Sequence, residues 1–234
     1  MEYLQTCGWM ELAAISLVLN FGLYFLSIGI YTVISYFSNK NTIQADYQQL
    51  KRSDIFLSIF VVVCNALVMI LSVNLLRQGW LVLAPDNPLF VVFEVGLLLW
   101  AMDIGMYVFH RIAHHKMLFR LIHGSHHQHT STNAISLFVL HPLEAIGFGL
   151  ILIGVLMLYS FSAMAITAYL LINLIWGTLG HLNVEVFPPK FKSMFIINAL
   201  CTVTFHNRHH QSPHYNFGFY TNVWDKIFGT YKEE

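Results

Sequence analysis

Residues 89–115, LFVVFEVGLLLWAMDIGMYVFHRIAHH, run from an apolar segment directly into a group of three histidines. The apolar part, residues 89–109, has the length of about 20 residues that a helix needs to cross a bilayer. An imidazole beside hydrocarbon is unfavourable unless it has a partner, and a shared metal ion is such a partner. This stretch therefore predicts a transmembrane helix whose end leads into a metal site.

The composition of the whole chain is that of a membrane protein. Of its 234 residues, 56% are hydrophobic and only 10% are charged, whereas a soluble domain carries about a quarter charged residues. The formal net charge is zero, which gives no indication of nucleic-acid binding. The three cysteines do not have the spacing of a metal or redox site. The length fits a single membrane domain, residues 1–234.

Four apolar stretches set the expected fold. Residues 12–37, 55–76 and 89–109 predict three transmembrane helices, and residues 143–179 are long enough for a tight hairpin of two helices, spanning or re-entrant. We therefore predict an all-α integral membrane fold with four or five transmembrane or re-entrant helices. An N-terminal three-span region (1–109) precedes a histidine-rich region (110–234), which forms a helical cap on the cytoplasmic side.

The basic residues predict the orientation in the membrane. If the loop after the first span faces the cytoplasm, Arg77 alone lies outside and the other 11 of the 12 lysines and arginines lie inside, as the positive-inside rule requires. The same orientation places every histidine cluster on one side, because the 143–179 hairpin returns the chain to the side that it left. The short chain favours a bacterial inner membrane over the endoplasmic reticulum.

Three histidine clusters have the spacing of metal ligands. Residues three or four apart share a helix face, so each cluster can direct two or three imidazoles to one point. His115 is five residues from His110, about 140° around an ideal helix, and joins only if the helix end unwinds. Together the clusters exceed the four ligands of a structural zinc site and predict two metal ions. The candidate ligands are His110, His114, His115, His123, His126, His127, His206, His209 and His210.

The ligand type narrows the metal. Histidine with few carboxylates is typical of iron, zinc or copper and not of calcium or magnesium. Redox chemistry is the natural use of a dinuclear site beside lipid, and zinc can replace ferrous iron in purified protein because it binds nitrogen ligands more tightly. Asp103, a carboxylate within the third span, is expected to orient an imidazole through its second ring nitrogen.

The order of the motifs resembles the fatty acid hydroxylase/sterol desaturase superfamily of membrane di-iron oxygenases. The resemblance covers roughly residues 110–231 and continues past the clusters through HPLE (141–144), GH (180–181), YNFG (215–218) and WDKIFGT (224–230). It implies two iron ions, a choice between His114 and His115 in the first motif, and His181 as a further ligand. It also implies supporting roles, without metal contact, for His141, Glu144, Asn216 and Asp225.

The implied activity is oxidation of an unactivated C–H bond of a membrane lipid by O2. Hydroxylation is the expected outcome and desaturation at the same site is the alternative, and the lipid can be a fatty acyl chain, a sterol, a sphingolipid or a related compound. The sequence has neither a dinucleotide-binding glycine motif nor a haem-binding domain. Electrons are therefore expected from a separate cytochrome b5-like or ferredoxin-like protein.

Two non-enzyme functions also use histidines in membranes. A membrane cytochrome clamps haem between histidines at mid-span, and a metal transporter places its sites near the midplane along a pathway. The clusters in this sequence are predicted at helix ends and outnumber what either function needs. An intramembrane metalloprotease needs His-Glu-x-x-His, which this sequence does not contain.

Overall fold

The computed structural model describes residues 2–38, 42–44, 49–129, 131–187 and 194–233. Within these residues the fold is all-helical, as the sequence predicts. The helices are α1 (Glu2–Thr6), α2 (Trp9–Phe37), α3 (Arg52–Arg77), α4 (Pro88–Ala113), α5 (Phe119–Ile122), α6 (Gly124–His127), α7 (Pro142–Leu158), α8 (Ala163–Gly180), α9 (Phe195–Ala199), α10 (Val203–Gln211) and α11 (Val223–Ile227), with a 3-10 turn at Ser136–Phe138.

Four helices are long and apolar enough to cross a membrane, namely α2, α3, α4 and α8. The other half of the predicted hairpin, α7, is also apolar but has only 17 residues. This result confirms the expected fold of four or five membrane helices. The span limits differ in detail, since α4 continues one turn past residue 109 and includes His110. Cationic groups in the last turn of a helix favour such an extension, and Arg111 lies there.

Local capping sets where the helices of the hairpin begin. His141 and Ser162 stand at the N-caps of α7 and α8, where the imidazole accepts from the backbone N–H of Leu143 and the hydroxyl accepts from that of Ala165. A proline at the first position of α7 has a backbone angle that already suits a helix. The backbone N–H of Ser162 also donates to Glu94 at 3.0 Å, which fixes the hairpin turn near the start of α4.

The hairpin holds the first three spans together. Helix α7 packs against α3 and α4, α8 packs against α2 and α4, and α2 packs against α3. One cluster of buried side chains around Tyr24, Val62 and Phe138 fills the space between α2, α3 and α7. A second one around Leu98, Met102 and Tyr169 joins α4 to α8.

Polar contacts join the helix ends at one end of this bundle. The hydroxyls of Ser27 and Thr178 are 2.7 Å apart and link α2 to α8, and Tyr31 donates to the carbonyl oxygen of Thr132. The hydroxyls of Tyr24 and Ser58, 3.0 Å apart, link α2 to the start of α3, and Phe109 near the end of α4 lies against Gly147 in α7. The C-terminal ends of α2, α4 and α8 therefore lie beside the N-terminal ends of α3 and α7. The first histidine cluster lies at the end of α4, the second precedes α7, and the third comes after α8 in the chain. The topology therefore brings the three clusters together.

The cytoplasmic location of this end and the division of the chain at residue 109 stay predictions. Lys40, Lys190 and Lys192 contribute to the predicted orientation and lie outside the described residues.

Candidate metal centre

Nine histidines form two adjacent groups at this end of the bundle. Within each group the candidate ligand atoms lie within 4.8 Å of one another. The five-histidine group contains His110, His114, His123, His127 and His209, and the four-histidine group contains His126, His181, His206 and His210. The rings of His127 and His210 stack with centroids 4.7 Å apart, so the two groups are in contact.

Helix ends and short helices supply all nine side chains. His110 lies in the last turn of α4 and His114 is its C-cap, while His181 is the C-cap of α8. The remaining six come from α6 with the residue before it, and from α10. Consecutive histidines on these short helices point to different groups, so each helix contributes to both.

The separations between ring nitrogens match those of ligands that share an ion. In the five-histidine group, the Nε2 atoms of His114, His127 and His209 form a triangle with three sides of 3.1 Å. A metal–nitrogen bond of about 2.0–2.1 Å places two ligands roughly 2.9 Å apart at a right angle and roughly 3.4 Å apart at a tetrahedral angle. The observed separations fall within that interval.

The four-histidine group has the same geometry. Nε2 of His181 is 3.4 Å from Nε2 of His126 and 3.3 Å from Nε2 of His206. Nε2 of His206 is in turn 3.1 Å from Nε2 of His210. Both groups thus present Nε2 atoms at the spacing of metal ligands.

Hydrogen bonds at the opposite ring nitrogen hold four of the histidines in place. Nδ1 donates to a backbone carbonyl oxygen in His110 (Phe217, 2.8 Å), His181 (Gly177, 2.8 Å) and His209 (Tyr215, 2.7 Å), and to the Glu144 carboxylate in His123 (2.6 Å). The three carbonyl oxygens only accept, so Nδ1 carries the proton in His110, His181 and His209. Nε2 is left with a lone pair that faces the centre of the group.

This tautomer makes one contact informative. In the triangle of His114, His127 and His209, Nε2 of His209 has no proton to donate, so neutral rings can form hydrogen bonds at no more than two of the three contacts of 3.1 Å. The third contact brings two ring nitrogens together without a hydrogen bond, and a cation shared by the three nitrogens makes it favourable. The residues present therefore fit a pair of metal ions.

Burial keeps the imidazoles in the form that binds metal. Burial, with a contribution from nearby His110, lowers the pKa of His127 to about 3, and burial lowers the pKa of His181 to about 4. Burial and the neighbouring imidazoles also hold the pKa of His210 well below its usual value. These rings are neutral at physiological pH, and neutral imidazole is the ligand form.

The sequence predicts that Asp103 orients an imidazole, and the structure places its carboxylate elsewhere. Asp103 accepts from the backbone N–H groups of Tyr220 and Thr221 at 3.0 and 3.1 Å and from the indole of Trp224 at 3.0 Å. It precedes His110 by two helical turns, which is about 10 Å along the axis. Asp103 therefore anchors the segment after α10 to α4, and Glu144 is a carboxylate that contacts an imidazole.

Asp225 supports the five-histidine group through the backbone. Its fully buried carboxylate accepts from the backbone N–H groups of Phe217 and Gly218 at 2.8 and 2.7 Å, and the carbonyl oxygen of Phe217 accepts from His110. A Cβ at Gly218 would clash with the carbonyl oxygen of Thr221, so this close approach requires glycine. These contacts support the predicted role of Asp225, which stays a prediction.

Asn216 holds the same loop from the other side. It has a positive φ of 62°, and its side-chain oxygen accepts from the backbone N–H of Lys232 at 2.8 Å. The preceding residue, Tyr215, presents its carbonyl oxygen to His209. Asn216 thus joins the loop to the C-terminal segment, and its supporting role stays a prediction.

Four other histidines lie outside both groups, and one of them, His214, is exposed in the loop after α10. His115 follows the C-cap of α4 and is exposed, which leaves His114 as the member of the first motif that reaches the five-histidine group. His141, expected to support the site, is the N-cap of α7. His129 is buried, with Nδ1 2.9 Å from Ser136 Oγ and Nε2 3.3 Å from Asp54 Oδ2. His129 is not among the predicted site residues, and its place beside the second cluster is its only signal in the sequence.

Comparisons with known proteins point to one family. The family described as "Fatty acid hydroxylase" matches residues 95–230. Protein CER1-like 2 of Arabidopsis thaliana is 34% identical over 134 residues, which cover 54% of this chain and 22% of that protein. Delta(7)-sterol 5(6)-desaturase of Leptosphaeria maculans is 28% identical over 146 residues, which cover 62% of this chain and 36% of that protein.

A mammalian protein shows a similar level of identity. Methylsterol monooxygenase 1 of Rattus norvegicus is 30% identical over 135 residues, which cover 55% of this chain and 43% of that protein. The chain thus spans less than half the length of each of these three relatives. No solved structure matches the chain significantly.

Proposed function

The chain belongs to the fatty acid hydroxylase family, and from this premise we propose that it is a membrane-bound non-haem di-iron oxidoreductase. In this proposal it uses O2 to hydroxylate an unactivated C–H bond of a lipid in the bilayer. The observation that carries the proposal is the pair of histidine groups, whose inward Nε2 atoms have the spacing of metal ligands. The nine grouped histidines are the proposed ligands of two iron ions, and zinc is the expected substitute in purified protein.

The iron pair, when bound, supplies the activation of O2 that oxidation of a C–H bond requires. The protein holds the ligands in place through the Nδ1 hydrogen bonds of His110, His123, His181 and His209. Burial of His126, His209 and His210 keeps water away from the ring nitrogens. Because α4 and α8 are apolar up to their last turns, a lipid can reach the site without leaving the bilayer.

The proposal also includes a separate source of electrons and an orientation in the membrane. We expect a separate cytochrome b5-like or ferredoxin-like protein to supply electrons at the cytoplasmic face, and a bacterial inner membrane is the expected location. The excess of basic residues on the histidine side supports this orientation. Arg111, Lys116 and Arg120 are exposed near the histidine groups and provide positive charge on that side.

Desaturation is the second candidate for the same site. It is favoured by the similarity to a protein named Delta(7)-sterol 5(6)-desaturase, while hydroxylation is favoured by the family description. Both reactions begin with the same C–H bond cleavage and differ in the fate of the carbon. A metal transporter fits less well, because a transport pathway places its sites near the midplane and both histidine groups lie at helix ends.

Comparative lipid mass spectrometry tests the function. Cells that express the wild type are compared with cells that express His126→Ala, and iron is measured in both purified proteins. A lipid that gains one oxygen atom only with the wild type supports hydroxylation, and one that loses two hydrogen atoms supports desaturation. His115→Ala is the matched control, since its ring lies outside both groups. Wild-type protein that binds no iron and alters no lipid would contradict the proposal.

A further inference from the structure

The four-histidine group has fewer direct supports than the five-histidine group. Nδ1 of His126 and Nδ1 of His210 are buried and have no hydrogen-bond partner among the residues that the structure describes. In the five-histidine group, Nδ1 has a partner in His110, His123 and His209, and such a partner fixes the orientation of a metal-binding ring. The geometry of the four-histidine group therefore depends more on how the helices that carry its rings are held together.

The connection between α2 and α3 contacts the chain just after one of these helices, α8. Thr42 and Val184 form an antiparallel bridge, and the backbone N–H of Ile43 donates to the carbonyl oxygen of Asn183 at 2.9 Å. Asn183 follows the C-cap of α8, His181, by two positions. The connection is therefore fixed beside a member of the four-histidine group.

The side chain of Asn183 strengthens this contact at Gln44. Its Oδ1 accepts from the backbone N–H of Gln44, and its Nδ2 donates to the backbone carbonyl oxygen of Gln44, both at 2.9 Å. Asn183 is only 1% exposed, so water has little access to these hydrogen bonds. Because one amide engages both backbone groups of a single residue, it holds Gln44 in one orientation.

The side chain of Gln44 reaches a second helix of the site, α10. Its Nε2 donates to Oδ1 of Asn207 at 3.1 Å, and the same oxygen accepts from Nε2 of Gln211 at 2.9 Å. Asn207 is buried and directly follows His206 in α10. Gln44 thus joins the end of α8, which carries His181, to the helix that carries His206.

Apolar packing brings the same three segments together. Ile43 from the connection, Leu182 after α8 and Val203 at the start of α10 belong to one hydrophobic cluster. Nε2 of His181 is 3.3 Å from Nε2 of His206, and a metal site requires ligand distances within about 0.2 Å of their preferred values. A small shift between α8 and α10 is therefore enough to weaken the binding of an ion.

We propose that Gln44 is a positioning residue of the four-histidine group and holds His181 and His206 at the separation that a metal ion requires. The inference rests on the proposed function, because it concerns one of the two ions of that centre. It gives a role to a residue outside the range 95–230 that matches the family. The five-histidine group takes its side chains from α4, from α6 with the residue before it, and from α10, so it does not depend directly on the link to α8.

Cobalt(II) titration of each group separately tests this inference. His209→Ala removes a ligand of the five-histidine group and His210→Ala removes one of the four-histidine group, so each background reports on the other ion. In His209→Ala, addition of Gln44→Leu should lower the cobalt affinity by about tenfold and change the visible absorption of the bound ion. In His210→Ala, the same addition should change neither quantity.

Two further variants separate positioning from a general loss of stability. Gln44→Lys keeps a donor that can reach Asn207 and should restore most of the cobalt affinity. Gln78→Leu is the matched control, because Nε2 of Gln78 donates to Oδ1 of Asn74 at an exposed position at the other end of α3, and it should affect neither ion. If Gln44→Leu does not fold, Gln44→Glu takes its place, since glutamate keeps the length but has no donor at neutral pH.

Hydrogen exchange of the metal-free protein gives a readout that needs no ion. Gln44→Leu should speed the exchange of backbone amides in residues 180–184 and 203–211 and leave residues 106–113 of α4 unchanged. If neither group of the wild type binds metal, the proposed function fails, and the exchange result still decides whether Gln44 holds α8 and α10 together.

Four results overturn the inference. They are unchanged exchange in residues 180–184 and 203–211, an equal loss of cobalt affinity at both groups, unchanged affinity at the four-histidine group, and a loss that Gln44→Lys does not restore.

Discussion

Glu144 accepts a 2.6 Å hydrogen bond from Nδ1 of His123, 21 residues earlier in the chain. The carboxylate is only 1% exposed and lies in the first turn of α7, so the start of the hairpin holds a histidine of the second cluster. A carboxylate on the second nitrogen of a metal-binding imidazole fixes the ring and raises its basicity. This contact couples the membrane hairpin to the five-histidine group.

Replacement of Glu144 by leucine should weaken metal binding. The side chain keeps a similar volume but loses the acceptor for His123, and loss of such a partner lowers metal affinity by about 10- to 100-fold. Glu144→Gln keeps an acceptor oxygen and should have a smaller effect. Iron retained per chain after dialysis against a chelator measures the difference. Equal retention in Glu144→Leu and the wild type would show that the contact does not support a metal site.

The choice between His114 and His115 can be settled by a pair of variants. His114 lies in the five-histidine group with its Nε2 3.1 Å from two neighbours, whereas His115 is exposed. We expect His114→Ala to lose at least half of the bound iron and His115→Ala to retain all of it. Elemental analysis of both proteins, purified in parallel, gives the answer. A deficit of iron in His115→Ala alone would reverse the assignment.

Much of the fold could be predicted because apolar length and histidine spacing are local signals. The spans around residues 12–37 and 89–109 follow from the length that a bilayer requires, and the convergence of the clusters follows from the hairpin that returns the chain. The distribution of ligands between two groups is not local. His126 and His127 are adjacent on α6 but belong to different groups, because His126 meets His181 of one group and His127 meets His114 of the other.

The supporting carboxylates show a second limit of sequence reasoning. Helical periodicity places Asp103 on the same face as His110, but the rise along the helix separates them by about 10 Å. Glu144 contacts His123 because α7 packs beside α5, which ends at His123, and this packing has no sequence signal of its own. The motif resemblance pointed to Glu144 without identifying its partner.

Adjacent histidines of the third cluster should control different ions. His209 belongs to the five-histidine group and His210 to the four-histidine group. His209→Ala and His210→Ala should therefore each leave about one ion per chain, with different spectra after substitution by cobalt(II). Metal titration followed by absorption spectroscopy measures both quantities. Identical spectra, or loss of both ions in each variant, would indicate a single shared site instead of two.

Removal of Asp225 should destabilise the loop that presents Phe217 to His110. Asp225→Ala leaves two buried backbone N–H groups without their acceptor, and each such loss costs about 1–3 kcal/mol. The free energy of unfolding should fall by roughly 2–5 kcal/mol, which corresponds to a drop in Tm of about 5–15 °C for a chain of this size. Thermal unfolding in detergent measures the change.

Asp86→Ala is the control, because Asp86 accepts from the backbone N–H of Met164 at an exposed position and its removal should cost no more than about 1 kcal/mol. Since Phe217 accepts from His110, Asp225→Ala should also lose iron from the five-histidine group first. A Tm equal to that of Asp86→Ala, together with full iron content, would show that the loop does not depend on this carboxylate.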